Sequence, residues 1–422
     1  MTLAVAQILA HPGFLKLELM RRGLRVEGDS LAALPGTPRF GATGHALFGS
    51  AGDLDLELPR GTFATVPIEP RLVERSPYRL VHDGDVWAVT ADAADAPRTR
   101  VKVVPPSSFF AQRTAESGVP FGQIGTVHGP YLALSPTNRC QFLATSDRCR
   151  FCGVGQKVAA HDALPVDDIV EAVRVARAEH DVNMVHLSVG WLGTDDGGVQ
   201  VLEPYIAAIK RHFDILVAVD ALPPKDDGWI DRTYGMGADA ISYNLELWDP
   251  ALFAQICPGP ARVIGRERFL EALGYATTVF PSGGVNCHLI VGLEPLASTR
   301  AGMEALARMG VVPVLPVYRP FKGRDLRADG DVARFEPTLE ELRDLYRDLH
   351  RAVRREKLGL GLVRDLATVT TPVEARLFSG PEGLFRRLGH RLSGTRFGRR
   401  TSARLSDLRR ALRVREVGLL DP

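Results

Sequence analysis

The stretch "GPYLALSPTNRCQFLATSDRCRFCGVG", residues 129–155, decides how the rest of the chain is read. It opens as an apolar run with the character of a buried strand. The loop that follows carries Cys140, Cys149 and Cys152, three of the five cysteines in the chain. Thiolate is the ligand of zinc and of iron–sulfur clusters. Zinc would need a fourth ligand, and His161 is near enough in sequence to offer one; yet structural zinc sites show paired short spacings, and here there is a single Cys-x-x-Cys. A four-iron cluster held by three cysteines keeps one iron open to bind and cleave something.

Composition narrows the setting. With 422 residues, 45% hydrophobic and 24% charged, the chain can bury a core and exceeds the usual single-domain size. A formal charge of +2 excludes a global field that would draw nucleic acid or a membrane surface. No apolar run reaches the length of a membrane helix, and the start lacks a basic region ahead of its short apolar stretch. Cysteines bunched in one loop of a long chain are not a secreted disulfide framework. The expectation is a soluble cytoplasmic protein with a metal centre.

Three parts are expected. Residues 1–115 open with an amphipathic helical pattern at Phe14, Leu15, Leu17 and Met20 and continue with alternating segments such as "DLDLEL", "YRLVHDGDVWAVTA" and "RTRVKVVPP". They predict a small α+β domain, whose Gly-rich "RFGATGHALFGSAG" reads as a turn between strands. Residues 125–358 alternate apolar strand-like runs with helical patterns. The runs are "GPYLALSP", "NMVHLSVG", "DILVAVD", "DAISYNLELWD", "VNCHLIVGLEP" and "VVPVLPVYRP", and the last helix opens with a capping box at Thr338 and Glu341. Near-continuous apolar strands between helices mean a parallel α/β sheet, here a partial (β/α)6 barrel in the manner of a TIM barrel. Residues 359–422 form a basic, helical tail, with eleven arginines and one acidic residue between Arg386 and Arg415. It is expected to pack back through Leu405, Leu408, Ala411 and Leu412, or else to dock an acidic partner.

In such sheets the site forms at the carboxyl ends of the strands. That rule puts the cysteine loop beside Val189, Gly190, Asp220, Asn244, Glu246, Gly292 and Glu294, and beside Tyr318 and Arg319 on the last strand. Tyr318, Arg319 and Lys322 offer a clamp for a carboxylate or phosphate, or equally a rim salt bridge. Cys287 and His288 are adjacent on strand five, so alternation turns only one of them inward. If that one is Cys287, its thiol can donate hydrogen; otherwise it packs as a small hydrophobe. Cys257 in "QICPGP" reads as a helix-end residue without chemistry. His186 reads as a core histidine, Trp191 as a cover for the sheet or a wall for a ligand, and Asp195 to Gly198 as a turn.

Three cysteines after the first strand of a six-fold β/α unit, ending "CRFC", resemble the radical S-adenosylmethionine superfamily. The usual spacing there is Cys-x3-Cys-x2-Cys, whereas eight residues, "QFLATSDR", separate Cys140 from Cys149. The wide spacing is similar to that of the radical S-adenosylmethionine proteins encoded in bacterial nitrilase gene clusters. The resemblance implies a [4Fe-4S] cluster on Cys140, Cys149 and Cys152, with Phe151 beside it, and S-adenosylmethionine as the second cofactor. Further, "ISYNLELWDP" is similar to the fourth-strand segment that binds the ribose, which implies Asn244 and Glu246 as ribose ligands, with Asp220 nearby. "VNCHLIVGLEP" resembles the fifth-strand segment along the adenine, which implies Val291 and Gly292 flanking the base, although only Gly-x-Glu remains of the fuller pattern. After strand two the usual Gly-Gly-Glu is replaced by "SVGWLGTDDGG", so carbonyls near Val189 and Gly190 would receive the methionine amine. The implied reaction is reductive cleavage to a 5′-deoxyadenosyl radical that abstracts hydrogen from a small-molecule substrate. An electron donor such as flavodoxin or ferredoxin is implied, with no membrane and no nucleic acid. The rivals are a zinc-binding barrel hydrolase and a non-catalytic iron–sulfur scaffold.

Overall fold

Among the described residues, the apolar strand residues are buried in two sheets that share a core. The computed structural model describes residues 3–34, 53–93, 95–105, 107–128, 131–152, 162–319, 326, 333–360, 362, 369–380 and 404–412. The Gly-rich segment at 39–52 is outside these residues apart from its neighbour β2, as are His161, Lys322 and most of the basic tail.

The first sheet contains β1 (Arg25–Val26), β2 (Asp53–Leu58), β3 (Thr62–Pro67), β4 (Tyr78–Asp83), β5 (Val86–Ala91) and β6 (Thr99–Val103), in the order β1-β4-β5-β6-β2-β3. Among the described residues of this sheet, β1 and β4 pair parallel and the other neighbours antiparallel. The helix Pro12–Arg22 starts with proline in its first turn and ends at Gly23, whose φ of 73° suits a left-handed stop. It buries Leu15, Leu17, Leu19 and Met20, and also Lys16 and Glu18. Those two charges are answered: Lys16 Nζ is 2.8 Å from Glu374, and Tyr78 Oη donates to Glu18 at 2.9 Å. A buried charge without such a partner would cost several kcal/mol.

The second sheet positions the site. It consists of β7 (Gly125–His128), β8 (Tyr131–Leu134), β9 (Met184–Ser188), β10 (Leu216–Asp220), β11 (Ala240–Ser242), β12 (Val285–His288) and β13 (Val312–Val314), paired in chain order. β8 to β13 run parallel and match the six runs read from the sequence; β7 is an added antiparallel edge strand. Helices Val166–Glu179, Val199–His212, Gly228–Gly235, Arg266–Val279 and Leu296–Arg308 connect the parallel strands, and Leu339–Arg355 follows the last. The sheet is a curled half-barrel, open between β13 and β7. The expected continuous helix over "ARVIGRERFLEALGYATTVF" is broken into Pro258–Val263 and Arg266–Val279 by Gly265, whose φ is 84°. The capping box forms in both directions, Glu341 N–H to Thr338 Oγ1 at 3.2 Å and Thr338 N–H to Glu341 Oε2 at 2.8 Å.

Alternation sorts the strand residues. Leu132, Leu134, Val185, Leu187, Val217, Val219, Ile241 and Cys287 join the main core. A fully buried aliphatic side chain contributes about 1.5–3 kcal/mol, so this outward face holds the helices on. The other face forms the barrel interior, and its chemistry changes along the strands. Tyr131, Ala133, Met184, Leu216, Ala218 and Ala240 make a small apolar cluster toward the amino ends. In register beyond them lie Ser188, Asp220, Ser242 and Asn286. The interior is therefore apolar at its floor and polar at its mouth.

The basic tail differs from the sequence expectation. In the helix over residues 404–412, Leu405, Leu408 and Leu412 are exposed (47%, 57% and 55%), as is Ala411, while Arg410 is 8% exposed. The cause is Asp239, a fully buried carboxylate at the start of β11. Lys210 Nζ reaches it at 3.0 Å and Ser406 Oγ at 2.6 Å, and Arg410 pairs with it as well. A buried carboxylate without donors costs more than exposing three leucines on the rim, so the helix turns its polar side inward. Among the described residues, no helix is long and apolar enough to cross a membrane.

Candidate active site

The cysteine loop leaves β8 through Ser135 to Asn138 and is fastened at both ends. At its start, Gln141 N–H donates to Trp191 O at 2.8 Å, Gln141 Nε2 to Leu192 O at 2.7 Å, and Trp191 N–H to Cys140 Sγ at 3.4 Å. Gly190 allows this approach: a Cβ there would lie 2.6 Å from Cys140 Cβ and 2.7 Å from Arg139 O. Phe142 stacks on Trp191 with ring centroids 5.8 Å apart and planes within 5°. At its end, Cys152 N–H donates to Cys149 O at 3.0 Å, and Arg148 Nη2 to Cys152 O at 3.0 Å.

A cavity of about 230 Å³ opens here, at the carboxyl ends of the strands, with room for several water-sized groups. Cys140, Cys149, Cys152, Phe151, Val189, Gly190, Asp220, Asn244 and Glu246 all line it. Residues spread over more than a hundred positions thus converge as the strand-end rule expects. Among the described residues, no three His, Cys, Asp or Glu side chains close around a point suited to a single metal ion.

Hydrogen bonds fix the polar side of this cavity. Asn244 Nδ2 donates to Asp220 Oδ1 at 3.0 Å, and its Oδ1 accepts the backbone N–H of His288 at 3.0 Å. A backbone donor leaves no choice of amide orientation. Ser242 Oγ lies 2.6 Å from the same Oδ1 and 2.9 Å from Asn286 Oδ1. Glu246 stands in the left-handed region at φ 69°, a conformation that costs a non-glycine residue about 1–3 kcal/mol and clusters at functional sites. The residue is held there by main-chain bonds, its N–H to His288 O at 2.9 Å and its carbonyl from Ile290 N–H at 2.7 Å. Glu294 supports the same loop from beneath: its carboxylate accepts from Trp248 N–H at 2.9 Å, Asp249 N–H at 2.8 Å and Thr299 Oγ1 at 3.0 Å. The Gly-x-Glu read from the sequence is here a brace rather than a ligand.

Burial sets the protonation. It pushes Asp220 up to about 7 against the pull of the Asn244 hydrogen bond. It holds Glu246 well above the usual carboxylate range, helped by the charges of Asp220 and Cys149. Burial also raises the Cys140 thiol, whereas Cys149 is lowered, chiefly by a hydrogen bond from the Cys257 thiol. His186 and His288 are lowered to about 3 and about 4, mainly by burial, so both imidazoles are neutral. His186 packs against Tyr131 at 5.5 Å between ring centroids.

Other expected site residues lie elsewhere. Cys287 is fully buried on the helix-facing side of β12, with Leu245 N–H 3.4 Å from its Sγ; Asn286 and His288 occupy the opposite face of that strand. Its role as an inward hydrogen donor is therefore corrected to core packing. Val291 is buried beside Val317, and Gly292, at φ 97°, lies near Pro337 and Tyr318. The Tyr318 hydroxyl accepts from Leu326 N–H at 2.9 Å. Arg319 Nη1 donates to Thr65 O at 3.3 Å, tying the half-barrel to β3. Cys257, read from sequence as inert, lines the cavity. The carboxylate of Asp196 caps the turn before Val199–His212, accepting from Gly198 and Gln200 N–H at 3.2 and 2.8 Å.

No protein-family model matches the chain. It is 26% identical over 214 residues to the bacteriochlorophyllide c C-7(1)-hydroxylase of Chlorobaculum limnaeum, a stretch that is 44% of this chain and 52% of that protein. The chain therefore spans about half the length of this curated relative. Among solved structures, methylornithine synthase matches at TM-score 0.44 with 14% identity, over 59% of this chain and 69% of that one. A radical SAM methyltransferase from Sphaerobacter thermophilus matches at TM-score 0.37 with 14% identity, over 67% and 75%. The FeFe-hydrogenase maturase of Carboxydothermus hydrogenoformans matches at TM-score 0.40 with 17% identity, over 54% and 52%.

Proposed function

We propose that this chain is a radical S-adenosylmethionine enzyme of the wide-spaced Cys-x8-Cys-x2-Cys type, the spacing seen beside bacterial nitrilases. One observation carries the reading: three cysteines from one loop share a cavity with Asn244 and Glu246, about a hundred residues downstream, at the mouth of a half-barrel. The hydroxylase relative supports an enzymatic role. The donor set fits an iron–sulfur cluster: three thiols, enclosed by Phe142, Phe151 and Trp191, in a space larger than one ion requires.

Bound together, a [4Fe-4S] cluster and S-adenosylmethionine would supply one-electron reductive chemistry for taking hydrogen from a substrate. The chain's own residues do the rest. Cys140, Cys149 and Cys152 would hold the cluster, and the hydrogen bond from Cys257 lowers the Cys149 thiol toward the thiolate that a metal binds. The Val189 and Gly190 carbonyls offer acceptors to the methionine amine beside Cys140, where the missing Cβ keeps the space clear. Asn244, its orientation set by the His288 N–H, presents its amide to a ribose hydroxyl. Glu246, pointed by its left-handed backbone, meets the second hydroxyl. Phe142 and Trp191, stacked over the loop, exclude water from a reactive centre. Among the described strand residues, the interior face carries His186 and His288, neutral through burial, and the small Ala218 and Ala240, which suits an uncharged or weakly polar C–H substrate.

The test is product analysis. Anaerobically reconstituted, dithionite-reduced protein should release 5′-deoxyadenosine and methionine from S-adenosylmethionine, and Cys149→Ala should not. Zinc in place of iron, or full turnover by Cys149→Ala, would end this reading.

A further inference from the structure

Cys257 is the cysteine without a role, and its surroundings are built rather than incidental. It joins the helix Pro250–Ile256 to Pro258–Val263, with its N–H bonded to Phe253 O at 2.8 Å, and it is 1% exposed. The cysteine loop reaches across to this joint. Arg150 N–H donates to Ile256 O at 2.8 Å, Gly259 N–H donates to Asp147 O at 2.9 Å, and Arg262 pairs with Asp147. Only glycine fits at 259, since a Cβ would lie 2.5 Å from Asp147 O and 2.6 Å from Phe142. These bonds flank Cys257 on both sides and bring its thiol into hydrogen-bond contact with that of Cys149. The eight residues between Cys140 and Cys149 thus have a structural use: part of that span, at Asp147, crosses to the 256–262 segment.

A buried free thiol is ordinarily packing. Here it borders a cavity that Cys140, Cys149 and Cys152 also line. The same cavity holds the Glu246 carboxylate, which is held by a strained backbone and, among the described residues, accepts no hydrogen bond.

We infer that Cys257 is the fourth sulfur of this centre: without S-adenosylmethionine it ligates the iron that the other three cysteines leave open, and it yields that position when the amine and carboxylate of S-adenosylmethionine arrive. This rests on the cluster reading above. Forming the iron–sulfur bond releases the thiol proton to solvent, displacement takes a proton back, and no electron moves. The consequence is a resting cluster with no open iron to lose, since an iron with an incomplete protein ligand set is the one oxidation removes.

The experiment compares anaerobically reconstituted wild type, Cys257→Ala and Cys257→Ser under ferricyanide oxidation, by iron analysis and by electron paramagnetic resonance of the three-iron product. Wild type without S-adenosylmethionine should retain all four irons, while Cys257→Ala loses one and develops the three-iron signal; S-adenosylmethionine should protect both. Equal loss from wild type and Cys257→Ala would overturn the inference. Should the variants fail to fold, iron-57 Mössbauer spectra of the wild-type holoprotein decide. Without S-adenosylmethionine all four irons should show alike sulfur-ligated parameters, and adding S-adenosylmethionine should set one iron apart; one iron already distinct without it would refute ligation by Cys257. A wild-type protein that holds no cluster, or one blind to S-adenosylmethionine, refutes the enzyme reading itself, whereas a responsive cluster with an equally labile fourth iron refutes only Cys257.

Discussion

Gly190→Ala perturbs the site through geometry alone. The new methyl would stand 2.6 Å from Cys140 Cβ and 2.7 Å from Arg139 O. Carbon contacts settle near 3.5–4.0 Å, so the start of the cysteine loop must shift by about 1 Å. Overpacking of this kind costs about 1–3 kcal/mol. With an unfolding entropy of about 2.1 cal/mol/K per residue, a cooperative chain of 422 residues would lose only about 1–3 °C in Tm. The metal site has no such tolerance, because displacing a supporting shell weakens metal affinity about 10–100-fold. Iron per protein after reconstitution should therefore fall sharply while calorimetry shows a nearly native transition. Gly235→Ala is the control: nothing lies within 4 Å of its Cβ, and it should bind iron as wild type does. A Gly190→Ala protein with full iron content and unchanged Tm would refute the close approach of Gly190 to Cys140.

Three further outcomes follow from the same geometry. Glu246→Gly should raise apo-protein stability by about 1 kcal/mol in urea unfolding, by releasing the left-handed strain at φ 69°, while abolishing the spectral response to S-adenosylmethionine but not cluster assembly. Asp220→Asn should remove a pH-dependent penalty. A carboxyl raised to about 7 when folded holds its proton more tightly than when unfolded, so it subtracts stability as the pH rises from about 4 to 7, at most about 4 kcal/mol. His186 and His288, lowered when folded, work in the opposite sense and subtract stability as the pH falls below about 6.5. The readout is thus the difference between variant and wild type, which should be larger at pH 8 than at pH 5; equal differences would contradict the buried Asp220. Arg410→Ala should cost about 2–3 kcal/mol by leaving Asp239 to Lys210, Ser406 and backbone donors, whereas Leu408→Glu should be within about 0.5 kcal/mol of wild type in urea unfolding.

Much of the frame was legible because periodicity reports burial directly. The six apolar runs became β8 to β13, and the strand-end rule gathered Cys140, Gly190, Asp220, Asn244 and Glu246 around one cavity. Residues whose role depends on tertiary partners were not legible. Cys257 has no spacing signal; only its contact with Cys149 sets it apart. Alternation left Cys287 and His288 undecided until the register with β13 and the shared face with Asn286 turned the histidine inward. Arg319 at a strand end read equally as a ligand clamp or as a rim salt bridge, and sequence held no sign of the bond it makes to a carbonyl of β3, 254 positions away. The leucines at 405, 408 and 412 mark an amphipathic helix correctly, yet its docking was decided by Asp239, a buried charge that no local pattern reveals.

The central claim concerns what the three cysteines hold, and electron paramagnetic resonance tests it most directly. Anaerobically reconstituted, dithionite-reduced protein should give a reduced four-iron signal that changes shape when S-adenosylmethionine is added. A protein that carries zinc, or a cluster whose signal is the same with and without S-adenosylmethionine, would contradict the account.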